Sequence, residues 1–120
     1  MDGKIINLIQ GSDEWKEFRK GKIGASDVPA ICGVSPYQTA TKLLAEKVTG
    51  VTPKVSDYVQ KIFDTGHGWE EKIRAEQFPN FKPTVVQSSL NPNLFCSLDG
   101  LNETQTEILE IKSTSKEEYW

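Results

Sequence analysis

Ser97-Leu98-Asp99-Gly100, followed by Leu101-Asn102-Glu103-Thr104-Gln105-Thr106 and then by Glu110-Ile111-Lys112, is the most informative feature of this chain. The middle segment is polar and reads as a hairpin loop, so the residues on either side form two neighbouring strands. Side chains alternate along a strand, so Glu110 and Lys112 share one face and Leu109 and Ile111 the other. A buried sheet face accounts for Leu109 and Ile111. Glu110 and Lys112 then project together toward whatever Asp99 faces. Two carboxylates and an ammonium can meet there. Hard divalent cations take carboxylate oxygens, and metal-activated water attacking a phosphodiester is chemistry such a cluster can run. The same three residues can equally form a solvated strand face with a weak Glu–Lys pair, because an Asp…Glu-x-Lys pattern is short and degenerate.

Working outward, the chain turns from extended to helical on the N-terminal side of Pro79. Thr84-Val85-Val86-Gln87 reads as one strand and Leu94–Leu98 as a second, with Asn91-Pro92-Asn93 as the turn between them. Thr106–Lys112 is the third. Ser56 opens a long helix over residues 57–77 that carries Val59, Ile62, Phe63, Trp69 and Ile73, with Gly66-His67-Gly68 as a place to kink or split it. Residues 37–49 read as another helix ended by Gly50. Ser12 caps a helix through Lys20, with Asp13 and Glu14 in its first turn and Gly21 as the stop. Ser26 caps a short helix ending near Gly33, Ile5 to Ile9 is a short apolar stretch, and a further helix is expected after Ser113. An antiparallel β-meander fed and flanked by helices is an α/β or α+β domain.

With 120 residues, 37% of them hydrophobic, the chain is long enough for one soluble globular domain with a single core. It has no apolar run long enough to span a bilayer and no signal-peptide pattern, so no membrane partner is expected. Cys32 and Cys96 lack CxxC spacing and read as buried small hydrophobes in a reducing compartment, with a lone disulfide as the alternative. A net charge of −3 disfavours nucleic-acid binding driven by overall charge. The bases are uneven, however: Lys16, Arg19, Lys20 and Lys22 lie close together, as a solvated helix face or as phosphate contacts.

Taken in order, Trp15-x-x-x-Arg19, Ile23-Gly24-Ala25-Ser26-Asp27, Gly66-x-x-x-Glu70, Ser97-Leu98-Asp99-Gly100 and Glu110-Ile111-Lys112 make a more specific pattern than any one block. The set resembles the YqaJ-like viral recombinase and lambda-type exonuclease family, within the PD-(D/E)xK nuclease superfamily, from about Gln10 to Ser113. The resemblance implies a restriction-endonuclease-like core, with residues 1–120 a single nuclease domain corresponding to the N-terminal and central part of a longer family domain. It implies Asp99 and Glu110 as ligands of Mg²⁺ or Mn²⁺, the backbone carbonyl of Ile111 completing the inner sphere, and Glu70 adding a third carboxylate near the metal. Lys112 would orient or help deprotonate the attacking water. Its alternative role is a surface pair with Glu110, and Glu70 read alone is a helix-surface acid. His67 reads as a helix-end or core histidine ahead of a metal ligand.

The resemblance also implies that Arg19 and Ser26, joined by Ser97, bind the 5′-phosphate of a DNA end, and that Trp15 stacks on a terminal base or packs in the core. Asp27 is expected to support the helix start. The expected function is a metal-dependent exonuclease acting on double-stranded DNA ends, 5′ to 3′, and processive if it forms a ring trimer as better-known relatives do. It would work in the cytoplasm of a bacterial host, phage or prophage encoded, and prepare single strands for a phage annealing protein. Two other readings stand beside it: a non-catalytic DNA-end-binding or protein-interaction module, and a restriction-type endonuclease, which has less use for Arg19 and Ser26. Family members run on well past the Glu-x-Lys strand, with a Gln-x-x-x-Tyr helix that this chain does not contain. The core is therefore expected to be truncated, lacking a strand and a helical cover that a partner chain or self-association would replace.

Overall fold

The computed structural model describes residues 3–113. The elements in chain order are β1 (Gly3–Ile6), α1 (Asp13–Arg19), β2 (Ile23–Gly24), a 3-10 turn (Ala25–Asp27), α2 (Val28–Ile31), α3 (Ala40–Thr49), α4 (Asp57–Gln77), β3 (Phe81–Ser88), β4 (Leu94–Asn102) and β5 (Ile108–Leu109). This is an α+β fold in which the expected β3-β4-β5 meander is present. Contacts gather the chain into two compact units, Met1–Pro53 with Pro83–Leu98, and Lys54–Lys82 with Asp99–Trp120. No helix among the described residues is long and apolar enough to cross a membrane. The helix expected after Ser113 lies outside the described residues.

In the first unit the strand order is β1-β3-β4-β2. β1 runs antiparallel to β3 with Ile5 opposite Val86 and Ile6 opposite Val85. β2 runs parallel to β4, pairing Ile23 with Leu94 and Gly24 with Phe95, a contact the sequence reading did not anticipate. Gly24 is required there: a Cβ would stand 2.8 Å from the Phe95 ring. Val85, Val86, Phe95, Leu43 and Ala30 form the buried core, and Phe18 of α1 packs edge-on against Phe95 with ring centroids 5.4 Å apart. Ser12 caps α1 as expected, accepting from the Trp15 N–H. α3 starts three residues later than predicted, because Thr39 takes the cap and accepts from the Lys42 N–H. Gly50 ends that helix in the left-handed conformation, with φ 71°. Ser26 does not cap a helix. It sits inside the 3-10 turn, whose closing hydrogen bond runs from the Gly24 N–H to the Asp27 carboxylate. Cys32 is exposed rather than buried, Cys96 is half-buried, and both are free thiols, so the disulfide alternative falls.

In the second unit α4 runs unbroken through Gly66-His67-Gly68, capped by the Ser56 hydroxyl. Each glycine costs a helix interior about 1 kcal/mol. Twenty-one residues of continuous ladder carry that without a kink. Ile62, Phe63 and Trp69, among the apolar residues read along this helix, are each about half exposed; the side chain that α4 buries is Arg74. β4 pairs antiparallel with β5, Gly100 opposite Leu109 and Leu101 opposite Ile108. β5 is much shorter than the expected residues 106–112, for two reasons. The Asn102 side-chain oxygen accepts from the Thr106 and Glu107 N–H groups and folds them into the loop. Past Leu109, the Ile111 N–H turns to the Asp99 carboxylate. A side chain thus takes the place of the ladder acceptor.

Candidate active site

The acids of the second unit are organised by the end of the β4–β5 pair. Continuing the register one step beyond Gly100–Leu109 puts Asp99 opposite Glu110, and directly opposed residues of an antiparallel pair place their side chains on one face. Asp99 Oδ2 accepts from the Ile111 N–H at 2.8 Å, which seats its carboxylate against the peptide that follows Glu110. Glu110 is paired with the Lys112 ammonium. That hydrogen bond, with the added field of Glu110, Asp99 and Glu70 and against some desolvation, raises the Lys112 pKa above its ordinary value. The ammonium therefore stays protonated at neutral pH, and all three expected carboxylates lie within its electrostatic reach.

Glu70 is held differently. Its Oε1 accepts from Arg74 Nη2 at 2.6 Å, one helical turn further along α4. Arg74 Nε donates at 2.8 Å to the Asp99 backbone carbonyl. One buried guanidinium thus ties the Glu70 carboxylate to the strand that carries Asp99. Sequence reading missed Arg74; the signal was the Glu70/Arg74 spacing of four, which on a helix brings opposite charges together. His67 Nδ1 lies 3.9 Å from Glu70 Oε2 on an exposed turn.

As donors, Asp99, Glu110 and the Ile111 carbonyl are hard oxygens, which fits Mg²⁺ or Mn²⁺ in kind. Among the described residues no three or more His, Cys, Asp or Glu side chains gather into a group that could hold a metal ion. The arrangement therefore offers two opposed carboxylates and a carbonyl, with Glu70 kept on Arg74.

The expected phosphate residues belong to the first unit. Trp15 and Arg19 are one turn apart on α1, and the Arg19 guanidinium lies over the Trp15 ring at 4.4 Å. The Trp15 indole N–H donates to Ser97 Oγ at 3.1 Å. These three residues form one connected set. The guanidinium covers one ring face, which is thereby closed to a stacking base. Because Ser97 Oγ accepts from the indole, the serine's own proton points elsewhere and remains a donor. Ser26 is exposed and makes no hydrogen bond with this set. It lies two residues past Gly24 in β2, as Ser97 lies two residues past Phe95 in β4, and these strands pair in parallel at Gly24–Phe95. Asp27 is buried and bonded to the Gly24 N–H, in the supporting role expected of it.

The family model describing a YqaJ-like viral recombinase domain matches residues 14–120. No curated protein and no solved structure matches the chain. The family match covers nearly the whole chain and includes every residue of both sets described above. The chain belongs to the YqaJ-like viral recombinase domain family.

Proposed function

We propose that this chain is a metal-dependent deoxyribonuclease that removes nucleotides from the ends of duplex DNA, 5′ to 3′, during phage-type recombination, leaving single strands for an annealing protein. The observation that carries the reading is the Asp99 carboxylate seated on the Ile111 N–H directly across from Glu110, with the Lys112 ammonium in the field of both. Asp99, Glu110 and the Ile111 carbonyl would hold the divalent cation. A bound cation of this kind supplies a Lewis acid and a water of lowered pKa.

Lys112, kept protonated by Glu110, is suited to orienting the attacking water and offsetting negative charge on the phosphorane rather than to removing a proton. Arg74 fixes Glu70 and the Asp99 main chain together, so the acids keep their spacing as phosphate approaches. In the first unit, Arg19 presents its guanidinium edge while Trp15 holds its face, and a guanidinium edge grips a terminal phosphate bidentately. The Ser97 and Ser26 hydroxyls add donors.

A second reading, a DNA-end-binding module without turnover, is favoured by the ion pairs. Arg74 on Glu70 and Lys112 on Glu110 are also what purely structural pairs look like. Incubating the chain with linear, end-labelled duplex separates the two. The nuclease reading predicts stepwise loss of label from 5′-phosphorylated ends in Mg²⁺, arrested by EDTA and restored by added Mg²⁺ or Mn²⁺. End binding with no cleavage under any of these conditions overturns it in favour of the module.

A further inference from the structure

One partly buried cation joins the elements that carry Arg19 and Ser26. Lys47, in the last turn of α3, places its Nζ 3.1 Å from Asp27 Oδ2 and 3.3 Å from the backbone carbonyl of Arg19. The Asp27 side chain is 8% exposed and that of Lys47 19%. The same Asp27 oxygen also accepts from the Gly24 N–H at 2.9 Å, closing the 3-10 turn that contains Ser26. A single ammonium therefore bridges the C-terminal end of α1, where Arg19 sits, to the turn where Ser26 sits. Among the described residues no hydrogen bond joins Arg19 to Ser26 directly.

A largely buried pair of this kind is a weak source of stability, because desolvating the two ions cancels most of their attraction. What it does supply is geometry. Lys47 is a second donor to the Arg19 carbonyl, which also accepts from the Lys22 N–H at 3.2 Å, and it shares with Arg19, Lys16 and Lys20 the wall of a cavity of about 460 Å³. The cavity wall is mixed in charge, since Asp13, Glu17 and Glu46 line it too. It is a poor phosphate site in itself, and with Asp27 and the Arg19 carbonyl already on its ammonium, Lys47 is placed as a brace.

We propose that Lys47, held by Asp27, is a positioning residue that sets the spacing of Arg19 and Ser26 and so determines preference for a 5′-phosphorylated DNA end. This rests on the phosphate-pocket reading above. The test measures binding of the full chain to a blunt duplex bearing either a 5′-phosphate or a 5′-hydroxyl, with Ca²⁺ in place of Mg²⁺. Lys47→Met combined with Asp27→Asn removes both charges without leaving either ion buried alone, and asparagine still offers the Gly24 N–H an acceptor.

The expected result is unchanged affinity for the 5′-hydroxyl duplex and about a tenfold fall in the phosphate-to-hydroxyl ratio, the size of one lost charge-assisted contact. Lys47→Arg, whose guanidinium still spans both acceptors, restores the ratio. A purely structural role would weaken both duplexes together and leave the ratio alone. Lys47→Gln is an independent reading that does not depend on the double variant folding, and an unchanged ratio there overturns the proposal. Arg19→Ala separates the two claims. If it leaves the ratio at the parent value, the pocket itself is wrong and the brace falls with it. If it lowers the ratio while Lys47→Gln and the double variant keep the parent ratio, only the brace is wrong.

Discussion

Arg74→Met removes the cation that joins Glu70 to the Asp99 main chain, and its cost decides whether that link is a surface decoration or part of the frame. An exposed i,i+4 ion pair on a helix contributes only about 0.3–0.5 kcal/mol. Arg74 is not exposed: its side chain is 10% accessible and that of Glu70 22%. The substitution deletes two charge-assisted hydrogen bonds, at 2.6 Å to Glu70 and 2.8 Å to the Asp99 carbonyl. Breaking a buried pair costs about 3–5 kcal/mol. Methionine keeps the apolar stem in place and Glu70 retains some access to water, so the low end, about 3 kcal/mol, applies. In a domain of this size that is a fall in Tm of about 10 °C.

Thermal melts of the parent, Arg74→Met, Glu70→Gln and the double variant measure it. The double-mutant cycle should show coupling of about 2 kcal/mol between residues 70 and 74. A melting temperature for Arg74→Met within about 2 °C of the parent, with no coupling, would refute the assignment of Arg74 as the organiser of the acids.

Gly100→Ala should destabilise by about 1–3 kcal/mol in urea titration, because its Cβ would stand 2.8 Å from Phe81 Cβ and 3.0 Å from Leu109 Cβ. Gly68→Ala, whose Cβ meets nothing within 4 Å, should stabilise α4 by about 0.5–1 kcal/mol in the same assay. Cys32 is exposed, whereas burial pushes the Cys96 thiol above its ordinary pKa. A raised pKa means less thiolate at any given pH, so iodoacetamide at pH 8 should label Cys32 first, with Cys96 catching up as the pH rises. Equal rates at the two positions, read by mass spectrometry, would contradict the half-buried placement of β4 at that point.

Much of the frame could be read before any coordinates. Ser56, the apolar spacing that follows it and the break before Pro79 define α4 because capping and periodicity act locally. The opposition of Asp99 and Glu110 was legible for a similar reason: a short polar loop between two strands leaves little freedom in register. The parallel pairing of β2 was not legible, since two residues meeting a strand seventy positions away leave no local pattern. Nor was the early end of β5, which follows from a carboxylate outcompeting a carbonyl for the Ile111 N–H. Arg74 was hidden because its spacing from Glu70 is common on exposed helices, and burial, which gives the pair its weight, is a tertiary property. Ser26 was misread as a cap because the neighbouring Asp27, not the serine, bonds the turn's free N–H. Ile62, Phe63 and Trp69 fit a helical apolar face in sequence yet remain half exposed.

The most direct test of the nuclease reading is Glu110→Gln assayed on linear 5′-phosphorylated duplex in Mg²⁺. The Glu110 side chain is 57% exposed, so the change should leave the melting temperature within about 2 °C of the parent. Glutamine keeps the shape and removes the charge that would hold the cation opposite Asp99. The account predicts that the parent degrades the duplex and that Glu110→Gln, equally folded, loses this activity by about a hundredfold or more. A Glu110→Gln variant that digests the duplex as fast as the parent would contradict it.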